Sequence, residues 1–157
     1  RRLFEMLNLE GAQAGLSWET ILNKRETYRA AFDDWDAEKI ARYDDVKVAE
    51  LLANPGIVRN RLKVAAAIGN ARAYLALRAE GQTLDGFLWA YVDGQPLVGD
   101  WTDGARPTKT ALSDRLSKDL AKRGFKFVGS TIVYAYMQGI GMVDDHHPRC
   151  FRYAGQK

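Results

Sequence analysis

The sequence predicts an all-α fold in a single domain. Three observations carry that reading. Apolar residues recur at helical spacing along almost the whole chain. No stretch alternates apolar and polar residues as a half-buried strand does, and Val128 with its neighbours forms at most a short extended link. The 157 residues, 46% of them hydrophobic, suffice for one real core and argue against disorder.

The elements follow in order. The chain opens Arg1-Arg2-Leu3-Phe4-Glu5-Met6-Leu7, with Leu3, Phe4 and Leu7 on one helical face. No initiator methionine precedes them, so this start reads as the inside of a helix, and residues 1–157 read as one domain lacking its N-terminal segment. Ser17 can cap a helix running to about Phe32, with Ile21, Leu22, Tyr28 and Phe32 inward. Asp36 and Asp44 suit the caps of two short helices, the second burying Val48, Leu51 and Leu52. A Pro55-Gly56 break follows. Val64, Ile68, Ala71 and Leu75 then share the face of a long helix. Thr83 starts a short helix with Phe87, Leu88 and Tyr91 inward. Residues 93–109 hold Asp93-Gly94, Pro96, Asp103-Gly104 and Pro107 and read as a loop. Leu112, Leu116 and Leu120 mark the next helix, which Gly124 can end. Ile132, Val133, Tyr136, Met137 and Ile140 stripe the last one.

Composition narrows the function classes. One cysteine excludes an internal disulfide framework and fits a reducing cytosol. No apolar run is long enough to cross a bilayer and no signal peptide is visible. The formal charge is only +3, but the sequence pI of about 9.0 points modestly to an anionic partner.

The placement of charge sharpens this. Between Glu50 and Glu80 there is no acid, yet Arg59, Arg61, Lys63, Arg72 and Arg78 fall there. The first three follow Asn54-Pro55-Gly56-Ile57-Val58, where one helix ends and another begins. Free N–H groups and the positive dipole end of a new helix suit a phosphate, and neighbouring bases add sequence-independent attraction. Gly56, Ile57, Val58, Arg59 and Arg61 are therefore candidates for the DNA backbone. The turn resembles a degenerate helix-hairpin-helix element, without its usual second glycine. An ordinary corner with solvated charges fits the same residues. A second run, Lys122-Arg123-Gly124-Phe125-Lys126-Phe127, interleaves bases with aromatics, which makes Lys126 a further DNA candidate. Bases also suit a helix C-terminus for its dipole.

The segment Leu9-Glu10-Gly11-Ala12-Gln13-Ala14-Gly15-Leu16-Ser17-Trp18 carries the sharpest chemistry. A carboxylate accepts hydrogen bonds from an amino-bearing base, and a tryptophan face attracts a flat cation. Glu10 and Trp18 thus suit a pocket for a positively charged purine. Gly15 permits close approach of backbone to a ligand. Leu16 reads as a core leucine, or as a wedge filling the gap left by an extruded base. A glutamate in Glu10's position is otherwise solvent-exposed. A buried Glu10 beside a cation is expected to stay ionised.

His146-His147-Pro148-Arg149-Cys150 contains the only histidines and the only cysteine. His146 and Cys150 suit half of a zinc site, and a structural site needs four ligands. Cys150 with His146 as a nucleophile, or a metal-dependent hydrolase on His146, His147 and Cys150, are rival readings.

Taken together, Leu3 to Met6, Leu9 to Gly11, Gln13 to Trp18, Lys24-Arg25-Glu26 with Tyr28, Arg29 and Phe32, Ile68 to Tyr74, Lys122 to Gly129, and Met137-Gln138 through Val143, Asp145, His146 and Cys150 resemble the DNA-3-methyladenine glycosylase I family. The likeness runs in order through essentially the whole chain. It implies an all-α, single-domain helix-hairpin-helix glycosylase fold. It implies hydrolysis of the N-glycosidic bond of 3-methyladenine in alkylated duplex DNA, without strand cleavage, with free 3-methyladenine as product. It also implies a monomer working in the bacterial cytoplasm at the nucleoid.

Residue by residue, the resemblance makes Glu10 the base-recognition glutamate and Trp18 the stacking tryptophan, the pair that carries catalysis. It places Gly15 and Leu16 near the lesion, and makes His146 and Cys150 the C-terminal pair of structural zinc ligands. The family's other two ligands fall N-terminal to Arg1, so zinc here is a half-site. No general base is nominated. Lys63 invites a lyase reading, but Asn60 lies nearer to where lyase members keep their lysine. The main rival is a non-catalytic DNA-binding helix-hairpin-helix module.

Overall fold

A computed structural model describes residues 1–98 and 108–144. These residues form nine α-helices: α1 Arg2–Ala12, α2 Trp18–Asn23, α3 Arg25–Ala31, α4 Ala37–Ala41, α5 Asp45–Ala53, α6 Arg61–Ala79, α7 Leu84–Trp89, α8 Ala111–Lys122 and α9 Ser130–Gly139. Among the described residues the one strand pairing is a two-residue parallel bridge, β1 Leu97–Val98 with β2 Val143–Asp144. It is too short to leave an alternating pattern in the sequence. No helix of the described residues is long and apolar enough to cross a membrane.

The helix starts follow from their caps. Ser17 Oγ accepts from the Thr20 N–H at 3.2 Å. Asp36 accepts from Glu38 and Lys39, Asp44 from Lys47, and Thr83 from Gly86. Each satisfies an N–H that has no partner within its helix. Gly124, at φ +95°, ends α8 as expected.

Two expectations need correction. The helix from Ser17 to Phe32 is two helices. The backbone bends at Lys24 (φ −103°, ψ 3°), where the side-chain ammonium reaches across to the Pro55 carbonyl at 2.9 Å. The bend turns Leu22 outward, so it is exposed rather than inward. Past α3, Asp33, Asp34 and Trp35 all take positive φ. That sharp reversal stacks Trp35 on Phe32 with centroids 5.1 Å apart and closes the core.

The largest surprise is α1. Its Phe4, Leu7 and Leu9 are buried as a one-sided helix would bury them, but so are Glu5, Asn8, Glu10 and Gly11. The helix runs through the centre of the molecule and packs against α6, α7 and α9. A helix enclosed on all sides forces its polar residues to find internal partners or to be kept for a ligand.

The turn between α5 and α6 is tied to α3. Thr27 Oγ1 donates to the Gly56 carbonyl, and the Val58 N–H donates to Tyr28 Oη at 3.1 Å. Asn54 Oδ1 accepts from the Gly56 N–H at 2.7 Å. A Cβ at Gly56 would lie 2.8 Å from Thr27 Cβ, so only glycine fits this approach.

Candidate functional site

Two carboxylates are buried among the described residues, Glu5 and Glu10. They differ in company. Glu5 accepts from Arg29 Nε at 2.6 Å and from Arg25 at 3.2 Å. Burial pushes its pKa up, but the hydrogen bonds and charge of Arg29 and Arg25 outweigh it, and the net shift is downward. An open cleft of about 490 Å³ there is lined by Glu5, Asp34 and Trp35 with Arg1, Arg2, Arg25 and Arg29, so bases outnumber acids in it and Glu5 is already paired.

Glu10 is the opposite case. It is 6% exposed, in the last turn of α1, and no cation among the described residues pairs with it. Burial alone pushes its pKa up to about 7. The expectation of an ionised Glu10 therefore holds only once a cation arrives. Without one, the carboxyl is close to half-protonated at neutral pH. A buried carboxylate raised by burial, with no cation beside it among the described residues, is a candidate for binding a ligand.

The space around Glu10 is shaped by glycines that sequence reasoning passed over. Gly139, in the last turn of α9, faces it. A Cβ there would stand 3.6 Å from Glu10 Oε1 and 3.5 Å from Met6 Cε. Alanine fits at ordinary contact distance, while a larger side chain would occupy the space before the carboxylate. Gly139→Leu should therefore fold and yet lose affinity for a flat methylated purine by at least about tenfold, as titration calorimetry with such a free base would show. Affinity equal to that of the native chain would place the ligand elsewhere. On the next residue of α1, a Cβ at Gly11 would lie 3.0 Å from Phe127 Cβ. Phe127 sits at φ +55°.

Its unusual backbone is held by Asn70. The Asn70 amide accepts from the Lys126 N–H at 2.7 Å and donates to the Lys126 carbonyl at 3.3 Å. It also donates to Asn8 Oδ1 at 3.0 Å. Asn8 and Asn70 thus knit α1, α6 and the 125–129 link together behind Glu10. A lone asparagine in a helix carries no sequence signal for such a role, and neither was a candidate.

The remaining candidates fall as follows. Gly15 lies at φ +80° in the turn after α1. Leu16 is 39% exposed, which corrects the core-leucine reading and leaves it free to act on a partner. Trp18 opens α2 and is half-buried against the core. Ile57 is buried, whereas Arg59 and Arg61 are exposed at the start of α6. The Gly56 and Val58 N–H groups already have internal partners. Lys126 is exposed, with its backbone fixed by Asn70. Lys63, the rejected lyase candidate, donates to the Ala12 and Ala14 carbonyls. Burial pushes its pKa down. His146, His147 and Cys150 lie outside the described residues. Among the described residues, no group of three or more His, Cys, Asp or Glu stands together as a metal site.

Comparison with known proteins gives one answer. The family model described as methyladenine glycosylase matches residues 1–153. DNA-3-methyladenine glycosylase 1 of Escherichia coli (strain K12) is 50% identical over 158 residues, spanning 100% of this chain and 84% of that protein. A crystal structure of 3-methyladenine DNA glycosylase I superposes with a TM-score of 0.93 at 51% identity, over 98% of this chain and 85% of that one. A point variant of 3-methyladenine DNA glycosylase I in complex with 3-methyladenine superposes with a TM-score of 0.89 at 37% identity, over 97% of this chain and 82% of that one.

Proposed function

Because the chain belongs to the methyladenine glycosylase family, we propose that it hydrolyses the N-glycosidic bond of 3-methyladenine in alkylated duplex DNA and releases the free base. The observation that carries this reading is Glu10, a buried carboxylate with no cation beside it among the described residues. A purine methylated at N3 supplies that cation.

The chemistry follows from charge. The damaged nucleotide leaves the stack and enters the pocket, as base-modifying enzymes require. The positive base approaches Glu10 and draws its carboxyl into the ionised form. Glu10 accepts a hydrogen bond from the exocyclic amino group, and the Trp18 face attracts the flat cation. The glycosidic bond then breaks with its electron pair moving to the base, which leaves neutral. Water adds to the sugar C1′ and its proton passes to solvent. An already weak bond needs little acid catalysis, so selection and positioning carry most of the rate. Leu16, exposed in the turn before Trp18, would fill the gap in the duplex.

The α5–turn–α6 element is the helix-hairpin-helix in this reading. Its Gly56 and Val58 N–H groups are bound internally, so phosphate contact falls to Arg59, Arg61 and the free end of α6, with Lys126 adding charge. Lys63 is engaged with two carbonyls rather than free to attack a sugar, which supports a monofunctional enzyme without lyase action. His146 and Cys150 would supply an imidazole and a thiolate to a structural zinc, two of the four ligands a closed site takes. No step of the reaction runs through that metal. The enzyme works as a monomer in the cytoplasm, where nucleoid DNA lies.

The test is to incubate the protein with methylated duplex DNA and chromatograph the released bases. Release of 3-methyladenine without 7-methylguanine is expected. Binding without release would instead make the chain a non-catalytic DNA-binding module. Trp18→Ala should weaken binding of free 3-methyladenine by about 1–3 kcal/mol, the stacking that the flat base loses, while leaving duplex affinity and the melting temperature largely intact. Joint loss of all three would reduce Trp18 to a core residue.

A further inference from the structure

We propose that Lys63 is a positioning residue for excision, its ammonium holding the segment between Glu10 and Trp18 against the first turn of α6. This rests on the reading above that the segment grips the base and α6 the phosphate. Lys63 Nζ donates to the Ala12 carbonyl at 2.9 Å and to the Ala14 carbonyl at 2.6 Å. These two acceptors bracket the C-terminus of α1. Helix ends leave carbonyls unpaired and carry partial negative charge, so a half-buried ammonium there is both a donor and a counter-charge.

What the bond holds matters more than the bond itself. Glu10 lies two residues before Ala12. Gly15, at φ +80°, lies one residue after Ala14, and Leu16 follows. The turn is otherwise closed by bonds within itself, with the Leu16 N–H donating to the Gln13 carbonyl at 2.7 Å, Ala14 to Gly11 at 3.2 Å, and the Gln13 side-chain amide to the Leu16 carbonyl at 3.5 Å. Lys63 is thus a hydrogen-bonded cross-link from this turn to another element. It belongs to the first turn of α6, where the Asn60 side chain caps the Lys63 N–H at 3.1 Å, directly after Arg59 and Arg61. One side chain therefore joins the phosphate-facing start of α6 to the turn that carries Leu16. Seating the hairpin on DNA sets where Leu16 and Trp18 meet the lesion.

Three measurements on Lys63→Met test this: single-turnover release of 3-methyladenine, affinity for undamaged duplex, and amide hydrogen exchange. Release should slow on the order of 10–100-fold, duplex affinity should hold, and exchange should quicken at Leu16 and Ser17 but not within α6 or α9. Lys63→Arg, which keeps charge and donors, should recover most of the rate. Release at the native rate would overturn the proposal. So would quickened exchange throughout the chain, because Lys63 would then serve general stability alone. Should Lys63→Met not fold, Lys63→Gln, which keeps one donor, takes the same comparison. Absence of release from the native chain would overturn the glycosylase reading instead, while the exchange pattern would still decide what Lys63 holds.

Discussion

Glu10→Gln should lose at least about 100-fold in kcat/KM for 3-methyladenine release while melting at a higher temperature at pH 8. Both halves come from one buried charge. Losing the attraction between carboxylate and cation removes about 3 kcal/mol from the bound and reacting states alike, so the loss falls on kcat/KM, where each 1.36 kcal/mol is tenfold. On stability the sign reverses. The folded-state pKa of about 7 lies above the ordinary value of 4.5, so the folded state prefers the protonated form. The stabilisation from that preference is fully present below pH 4.5 and is lost as the pH rises to about 7. Over that window the native chain gives up about 2–3 kcal/mol at this position. The glutamine variant has no charge to desolvate. Calorimetric scans should show it more stable than the native chain at pH 8, by a few degrees, and no more stable at pH 4. The native kcat/KM should fall as the pH drops below about 7, since the free enzyme must ionise Glu10 to receive the base. A glutamine variant destabilised at pH 8, or one that keeps full activity, would mean that Glu10 is satisfied by some other group.

Asn70→Ala should be strongly destabilising, although the change is to a small polar residue in a helix interior. Asn70 is 3% exposed, and its removal strands the Lys126 N–H, the Lys126 carbonyl and Asn8 Oδ1 at once. Buried polar groups left without partners cost about 1–3 kcal/mol each, offset where water enters. A net loss of about 3 kcal/mol lowers the melting temperature of a chain this size by roughly 6–12 °C. The loss also frees Phe127 from a positive φ that no glycine relieves, which costs the native chain of order 1–3 kcal/mol. Phe127 then moves away from Gly11, and excision should fall beyond what unfolding explains. An unchanged melting temperature would show that water replaces the amide at no cost.

These two residues show what the sequence reveals and what it does not. Glu10 and Trp18 stand out as candidates because a carboxylate, small residues and an aromatic crowd one short segment, and because that segment resembles a known family; the burial of Glu10 could not be read there. Ser17, Asp36, Asp44 and Thr83 were legible as caps, since their chemistry acts within three residues. The long α6 announced itself by period. Asn70 was silent because its partners are 56 and 62 residues away. Hydrophobic periodicity describes a helix with one wet face, so it misjudged α1, in which every residue from Phe4 to Ala12 is buried. It also ran α2 into α3, because the bend at Lys24 depends on Pro55, which meets it only in the folded chain. Leu22 and Leu16 are leucines in the sequence and exposed surface in the structure. Gly139 carries no signal in the sequence, because the α1 carboxylate that it faces is 129 residues away.

The latching of the 54–60 turn by Lys24, Thr27 and Tyr28 has a thermodynamic corollary. These side chains fix the turn before any duplex is met. If this turn is the hairpin that meets DNA, as proposed, contact should order little polypeptide, and the heat-capacity change on association should reflect surface already formed rather than folding coupled to binding. The conformational work would then be left to the extruded nucleotide.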